Sequence, residues 1–206
     1  MIQIITVDIS TLQEPTYQRL YALASPERRQ RADRYLRNED KHRCVVADGL
    51  LRYVLGPQRS ALAQTPEGKP FLPGNENFHF NLSHSGHRVV IAWGSAPLGI
   101  DVEMICMDRS KEQLARRFFH PEEQDYLFAV GGQERANRFF EIWTKKESYL
   151  KYLGTGINRA LDSFSVLQTQ DAAFHTQFLE DAALTLCAQD PRCQILTLHP
   201  ELLLQE

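Results

Sequence analysis

The sequence predicts an α+β protein of two comparable halves, and three observations carry that expectation. Short apolar or alternating runs of strand character cluster at 2–9, 78–103 and 164–198. Runs with helical spacing fill the intervals, most clearly at 38–55 and 134–153. The resulting order of strand, helices, strands, helices, strands repeats about a junction near Glu103 to Arg109, so a first half is expected at 1–103 and a second at 104–206.

Residues 2 to 9 read as a strand. Ser25-Pro26-Glu27 then supplies a capping hydroxyl, a first-turn proline and an acid, the start of a short helix. Asn38 with Glu39 and Asp40 offers a second start, and Val45, Val46, Leu50, Val54 and Leu55 form an apolar stripe that Gly56-Pro57 ends. Thr65 to Asn77, which contains Gly68-Lys69-Pro70, reads as a connecting loop. Phe78 to Leu82, Val89 to Trp93 and Leu98 to Glu103 are expected as adjacent antiparallel strands. Helical patterns resume at Lys111 to Phe119, Pro121 to Phe128 and Glu134 to Leu153, the last stopped by Gly154 and Gly156. Phe164 to Leu167, Phe174 to Leu179, Leu184 to Ala188 and Ile195 to Leu198 close the chain as expected strands.

The 206 residues are 43% hydrophobic, enough to bury a core, and the formal net charge of -3 excludes the broad basic field of a general nucleic-acid binder. Charge is uneven, however: Arg28, Arg29, Arg31, Arg34, Arg37, Lys41 and Arg43 make one segment locally cationic. Cys44, Cys106, Cys187 and Cys193 form no CxxC pair and no zinc spacing, as expected of reduced thiols in a cytoplasmic protein. The N-terminus has neither a signal peptide's apolar core nor a membrane span, and no other segment is apolar for long enough to cross a bilayer.

Gly99-Ile100-Asp101-Val102-Glu103 puts two carboxylates on one strand face while Ile100 and Val102 point to the other. That face is either an exposed polar edge or one side of a site for a hard divalent cation, whose remaining positions waters and phosphates would fill. In the helix around Trp143 the apolar stripe of Phe139, Ile142, Trp143, Leu150 and Leu153 is interrupted by Lys146 and Glu147. A charge on a buried face must be paired or must line a site. Glu147 could serve as a third metal carboxylate or as a base, and Lys146 and Lys151 could neutralise phosphate oxygens. Asn81-Leu82-Ser83-His84-Ser85-Gly86 leads a strand into a turn suited to gripping phosphate; sequential Ser and His do not make a hydrolytic dyad.

Taken together, Gly68-Lys69-Pro70, Phe80-Asn81-Leu82-Ser83-His84-Ser85, Gly99-Ile100-Asp101-Val102-Glu103 and Trp143-Thr144-Lys145-Lys146-Glu147-Ser148 with Lys151 resemble, in order and spacing, the surfactin-type 4'-phosphopantetheinyl transferases. The segment from Ser25 to Arg43 looks like that family's N-terminal part, and the resemblance fades after about Val166. It implies a monomer of two similar α+β halves related by a pseudo-twofold, with the active site in the cleft between them. It also implies transfer of the 4'-phosphopantetheine of coenzyme A to a serine of an apo acyl, peptidyl or aryl carrier protein, with release of 3',5'-ADP. By the same resemblance Asp101, Glu103 and Glu147 would hold Mg2+, Lys151 and His84 would contact the phosphates, and Lys69, Ser83, Arg28, Arg31 and Arg43 would serve the nucleotide end. Glu147, with Lys151 and His84, is the expected catalytic set, and Glu123 is the other candidate base. Cys44 departs from the resemblance, since relatives can carry a hydroxyl residue there and a thiol is a weak donor. Arg116, Arg117, Phe118 and Phe119 are candidates for the carrier surface, although Phe118 and Phe119 also suit a core. No nucleic-acid or membrane partner is expected. Two rivals use the same residues: a Mg2+-dependent phosphohydrolase with water as nucleophile, and a non-catalytic module that binds coenzyme A or a carrier.

Overall fold

The structure is a computed structural model that describes residues 1–106, 109–155 and 160–205, and within the first helix of the second half it describes the backbone alone at 109 and 110. In chain order the elements are β1 (Ile2–Asp8), α1 (Glu14–Leu23), α2 (Pro26–Asp33), α3 (Asn38–Leu55), β2 (Ala63–Gln64), β3 (Pro70–Phe71), β4 (His79–Ser85), β5 (Arg88–Gly94) and β6 (Leu98–Met104). There follow α4 (Arg109–Phe118), α5 (Pro121–Phe128), α6 (Gly132–Leu153), β7 (Ala173–Phe178), β8 (Ala182–Ala188) and β9 (Cys193–Leu198).

Two sheets stack between two helical layers. The first has the order β4-β5-β1-β9 and the second β6-β8-β7. The unbroken apolar run of β1 follows from burial on both faces: Ile5 and Val7 pack under α3 against Val45, Val46 and Leu50, while Ile2 and Ile4 meet the second sheet. The same logic fills β8, where Ala182, Leu184 and Leu186 face the first sheet and Ala183 and Cys187 face α6. The α+β architecture in two halves is therefore set by a core in which each sheet is covered twice.

Strand membership departs from the expected division at 103/104. β6 does not pair with β5; it pairs antiparallel with β8, with Asp101 opposite Thr185. At the other end β9 leaves the second half and pairs parallel with β1, Ile4 opposite Ile195. Each half thus closes with a strand that the sequence order assigns to the other, because spacing in sequence reveals strands but not their partners.

Other departures are local. Phe164 to Leu167 is not a strand; a 3-10 turn at Leu161–Ser163 precedes it, and Phe164 and Val166 are buried beneath α6. The stretch from Thr65 to Asn77 is not all loop: β3 falls inside it and pairs with β2 as a small hairpin. Helix α1 was not anticipated, although Glu14 and Pro15 form an acidic, proline-bearing first turn. Ser25 caps α2 by accepting from the Arg28 amide, as expected, whereas Asn38 is the first residue of α3 and not its cap. Gly154 ends α6 in the left-handed conformation; Gly156 lies outside the described residues. Among the described residues no helix is long and apolar enough to cross a membrane.

Candidate active site

The site forms along the seam where β4 of one sheet runs beside β6 of the other. Alternate residues of β4 point across it. Asn81 Oδ1 accepts from the Ile100 amide at 3.0 Å, Ser83 Oγ donates to Asp101 Oδ1 at 2.7 Å, and Ser85 Oγ donates to Glu103 Oε2 at 2.6 Å. Side chains, not ladder hydrogen bonds, stitch the sheets, and they hold both acids of β6 toward the same opening.

Helix α6 is brought onto β6 by Gly99. A Cβ there would lie 2.0 Å from the Ser148 carbonyl oxygen and 2.4 Å from the Tyr152 amide, so only glycine admits the helix backbone this close. That approach delivers Glu147 and Lys151 to the seam. Lys151 Nζ donates to Asp101 Oδ1 at 2.7 Å, to Ser83 Oγ at 2.8 Å and to the Ile100 carbonyl at 3.1 Å.

The resulting cavity has a volume of about 390 Å3. Asp101, Glu103, Glu147 and Lys151 line one side, Ser83 and His84 the second, and Arg28, Arg31 and Arg43 of α2 and α3 the third. Burial pushes the Glu147 carboxyl above its usual range, and the charges of Asp101 and Glu103 raise it further against the opposing pull of Lys151. Glu103 is raised for the same first reason, desolvation, with the Ser85 hydrogen bond opposing and Asp101 adding to the rise. His84 is open to solvent at the cavity mouth, yet its imidazole is held below the ordinary value by partial desolvation and by Arg43, Lys151 and Arg31. Carboxylates strained by one another beside an arc of cations suit a polyanion carried with a counter-ion.

The carboxylates fit a divalent cation on one specific observation: Asp101 Oδ2 is buried and has no hydrogen-bond partner among the described residues. Among the described residues no group of three or more His, Cys, Asp or Glu side chains is already placed to hold a metal ion.

Several expected site residues lie elsewhere. Lys146 is 1% exposed and Glu123 is 0% exposed; their charges pair at 2.8 Å beneath α6. Lys146 Nζ also donates to the carbonyls of Leu161 and Phe164, and Glu123 accepts from the His120 and Val166 amides. Neither side chain lines the cavity. Lys69 does not line the cavity with the arginines: it lines a neighbouring one beside Glu147 and Lys151, and its Nζ donates to the Lys151 carbonyl at 2.6 Å. Cys44 lines the cavity, with Sγ 3.8 Å from the Arg28 carbonyl. Phe119 is core, while Phe118 packs on Trp143 and lies under the Arg117 guanidinium. The cysteines are all free.

The sequence reading missed Asp48, buried at 4% exposure on α3. It accepts from Arg59 at 2.5 Å and lies 3.6 Å from Arg28 Nε, so it sets where the Arg28 side chain runs. Its one legible signal was a lone acid inside the apolar stripe of α3.

A seam of carboxylates, one lysine and three arginines between two stacked sheets defines a phosphate-handling enzyme of the two-half α+β class. The chain belongs to the 4'-phosphopantetheinyl transferase superfamily. The family model of that description matches residues 97–195, and the model described as 4'-phosphopantetheinyl transferase, N-terminal, matches residues 12–96. The boundary between the two matches falls just before β6. The chain is 36% identical over 169 residues to 4'-phosphopantetheinyl transferase Sfp of Bacillus subtilis (strain 168), covering 78% of this chain and 73% of that one. It is 35% identical over 182 residues to 4'-phosphopantetheinyl transferase ffp of Bacillus subtilis, covering 85% and 80%. To 4'-phosphopantetheinyl transferase psf-1 of Bacillus pumilus it is 34% identical over 161 residues, covering 75% and 68%.

Proposed function

We propose that this enzyme transfers the 4'-phosphopantetheine of coenzyme A to the serine of an apo acyl, peptidyl or aryl carrier domain, as a cytoplasmic, Mg2+-dependent monomer. The observation that supports this most is the meeting of Asp101, Glu103, Glu147, Lys151, His84 and Arg28 in one cavity from four separate elements.

In this reading the arginines of α2 and α3 hold the nucleotide end of coenzyme A, where a guanidinium fork matches phosphate geometry. Ser83 and His84 contact its phosphates, and the neutral form favoured at His84 donates a hydrogen bond without adding a charge. Lys151, oriented by Ser83 and the Ile100 carbonyl, neutralises charge that grows on the diphosphate. Asp101, Glu103 and Glu147 would hold Mg2+, which supplies Lewis-acid neutralisation of the diphosphate when bound.

The carrier serine Oγ attacks the phosphorus next to pantetheine, forming a new P–O bond. The bridging P–O bond of the diphosphate breaks, and 3',5'-ADP leaves with that electron pair. The serine proton passes to Glu147 or to a water that Glu147 orients.

The test is a count of products: 3',5'-ADP should appear one for one with modified carrier and only when carrier is present. Release of phosphate, or of 3',5'-ADP without carrier, would instead mark a hydrolase acting on the same diphosphate.

A further inference from the structure

Lys69 is a half-buried cation set against the end of a helix. The turn from Thr65 to Lys69 is closed by the Thr65 amide donating to the Lys69 carbonyl at 2.9 Å and by the Lys69 amide donating to Thr65 Oγ1 at 3.2 Å. That turn carries the ammonium to the last residues of α6. Besides the Lys151 carbonyl at 2.6 Å, Nζ donates to the Tyr152 carbonyl at 3.4 Å and to the Leu98 carbonyl at 3.5 Å. No carboxylate among the described residues lies within ion-pair distance of it. Desolvation holds the ammonium below the usual lysine value.

The three acceptors belong to the two elements that carry the reacting groups. Carbonyls at a helix C-terminus lack intrahelical partners and favour a cation. Lys151 and Glu147 stand on α6, and Leu98 begins the strand that carries Asp101 and Glu103. Gly154 turns α6 away in the left-handed conformation with its α-carbon side against the lysine: a Cβ there would lie 3.5 Å from Lys69 Cδ.

We infer that Lys69 is a positioning residue: its ammonium, bound to the Lys151, Tyr152 and Leu98 carbonyls, pins the end of α6 to the start of β6 and so fixes Lys151 over Asp101. This role rests on the transferase reading and differs from a direct contact with the nucleotide. A displaced lysine only about 1 Å from its productive place can cost on the order of a hundredfold in rate.

The experiment compares wild type, Lys69→Met and Lys69→Gln, the glutamine retaining donors of shorter reach. Steady-state loading of an apo carrier is measured with coenzyme A and with coenzyme A lacking the 3'-phosphate, alongside direct titration of coenzyme A binding and amide hydrogen exchange at 150–154. A positioning role predicts that Lys69→Met lowers kcat about ten- to a hundredfold with both donors and leaves the Kd for coenzyme A within about threefold. It also predicts faster exchange at 150–154 than in α3, with Lys69→Gln intermediate. A higher Kd for coenzyme A alone, with kcat kept and the 3'-dephospho donor unaffected, overturns the inference in favour of a nucleotide contact. Unchanged exchange at 150–154 in Lys69→Met overturns it as well. If wild type loads no carrier, the transferase reading fails, and the exchange data still decide the role of Lys69.

Discussion

Lys151 Nζ lies 2.7 Å from Asp101 Oδ1, a bond that joins the last turn of α6 to the middle of β6 and crosses the centre of the site. The lysine also reaches Ser83 of the opposite sheet, so one ammonium reads the relative placement of three elements. Removing it takes the ammonium away from Asp101 and Ser83. Lys151→Met is expected to lower kcat by about a hundred- to a thousandfold, the usual range for loss of one preorganised donor. The check is steady-state kinetics at saturating carrier, with coenzyme A affinity measured separately.

The acids of the seam oppose folding when no counter-ion is present. Glu103 and Glu147 are raised in the folded chain, so their contribution to stability is fully present below the unfolded glutamate value and is lost as pH rises through the folded one. At neutral pH each is therefore a net strain. Glu147→Gln is expected to unfold a few degrees higher than wild type at pH 7 without metal, and the gap should close below about pH 4, near the unfolded glutamate value. Adding Mg2+ should raise the wild-type midpoint more than that of the variant. Thermal melts at both pH values, with and without metal, test this; a lower midpoint for Glu147→Gln at pH 7 would count against it.

Gly99 limits how closely α6 and β6 approach. Since a Cβ would meet the Ser148 and Tyr152 backbone atoms well inside contact distance, Gly99→Ala must push the helix outward. The expected cost is about 1–3 kcal/mol of stability, as for other overpacked sites. Activity should fall more steeply than stability because Glu147 and Lys151 move with the helix. Denaturant melts beside kcat measurements separate the two effects.

The buried Lys146–Glu123 pair is structural. Lys146→Met strands the Glu123 carboxylate at 0% exposure, and breaking such a pair costs about 3–5 kcal/mol. The double change Lys146→Met with Glu123→Leu removes both charges and should recover most of that loss. Chemical denaturation of the two variants reads the difference directly; equal losses would mean that the carbonyl bonds of Lys146, not its ion pair, dominate.

Legibility in the sequence followed how local the determining physics is. Ser25 started a helix, and Gly56 and Gly154 ended helices, where their chemistry said they would, because caps act within one turn. The alternation of Asp101 and Glu103 put both on one face for the same reason. Nothing local told β6 to pair with β8 or β9 to return beside β1, since register between distant strands is a property of the assembled core. Lys146 and Glu147 looked alike as charges interrupting an apolar stripe. One turned to an internal acid 23 residues upstream and the other to the cavity, a difference set by α5 packing beneath α6. Lys69 was legible as part of a motif but not as a helix clasp, because its acceptors are main-chain carbonyls that leave no mark in composition.

The most direct test of the central claim is the intact mass of an apo carrier protein incubated with this enzyme, coenzyme A and Mg2+, beside Asp101→Ala and an EDTA control. The account predicts a gain of one phosphopantetheine per carrier with wild type and no gain in either control. An unmodified carrier across acyl, peptidyl and aryl types, with wild type folded and binding coenzyme A, would contradict it.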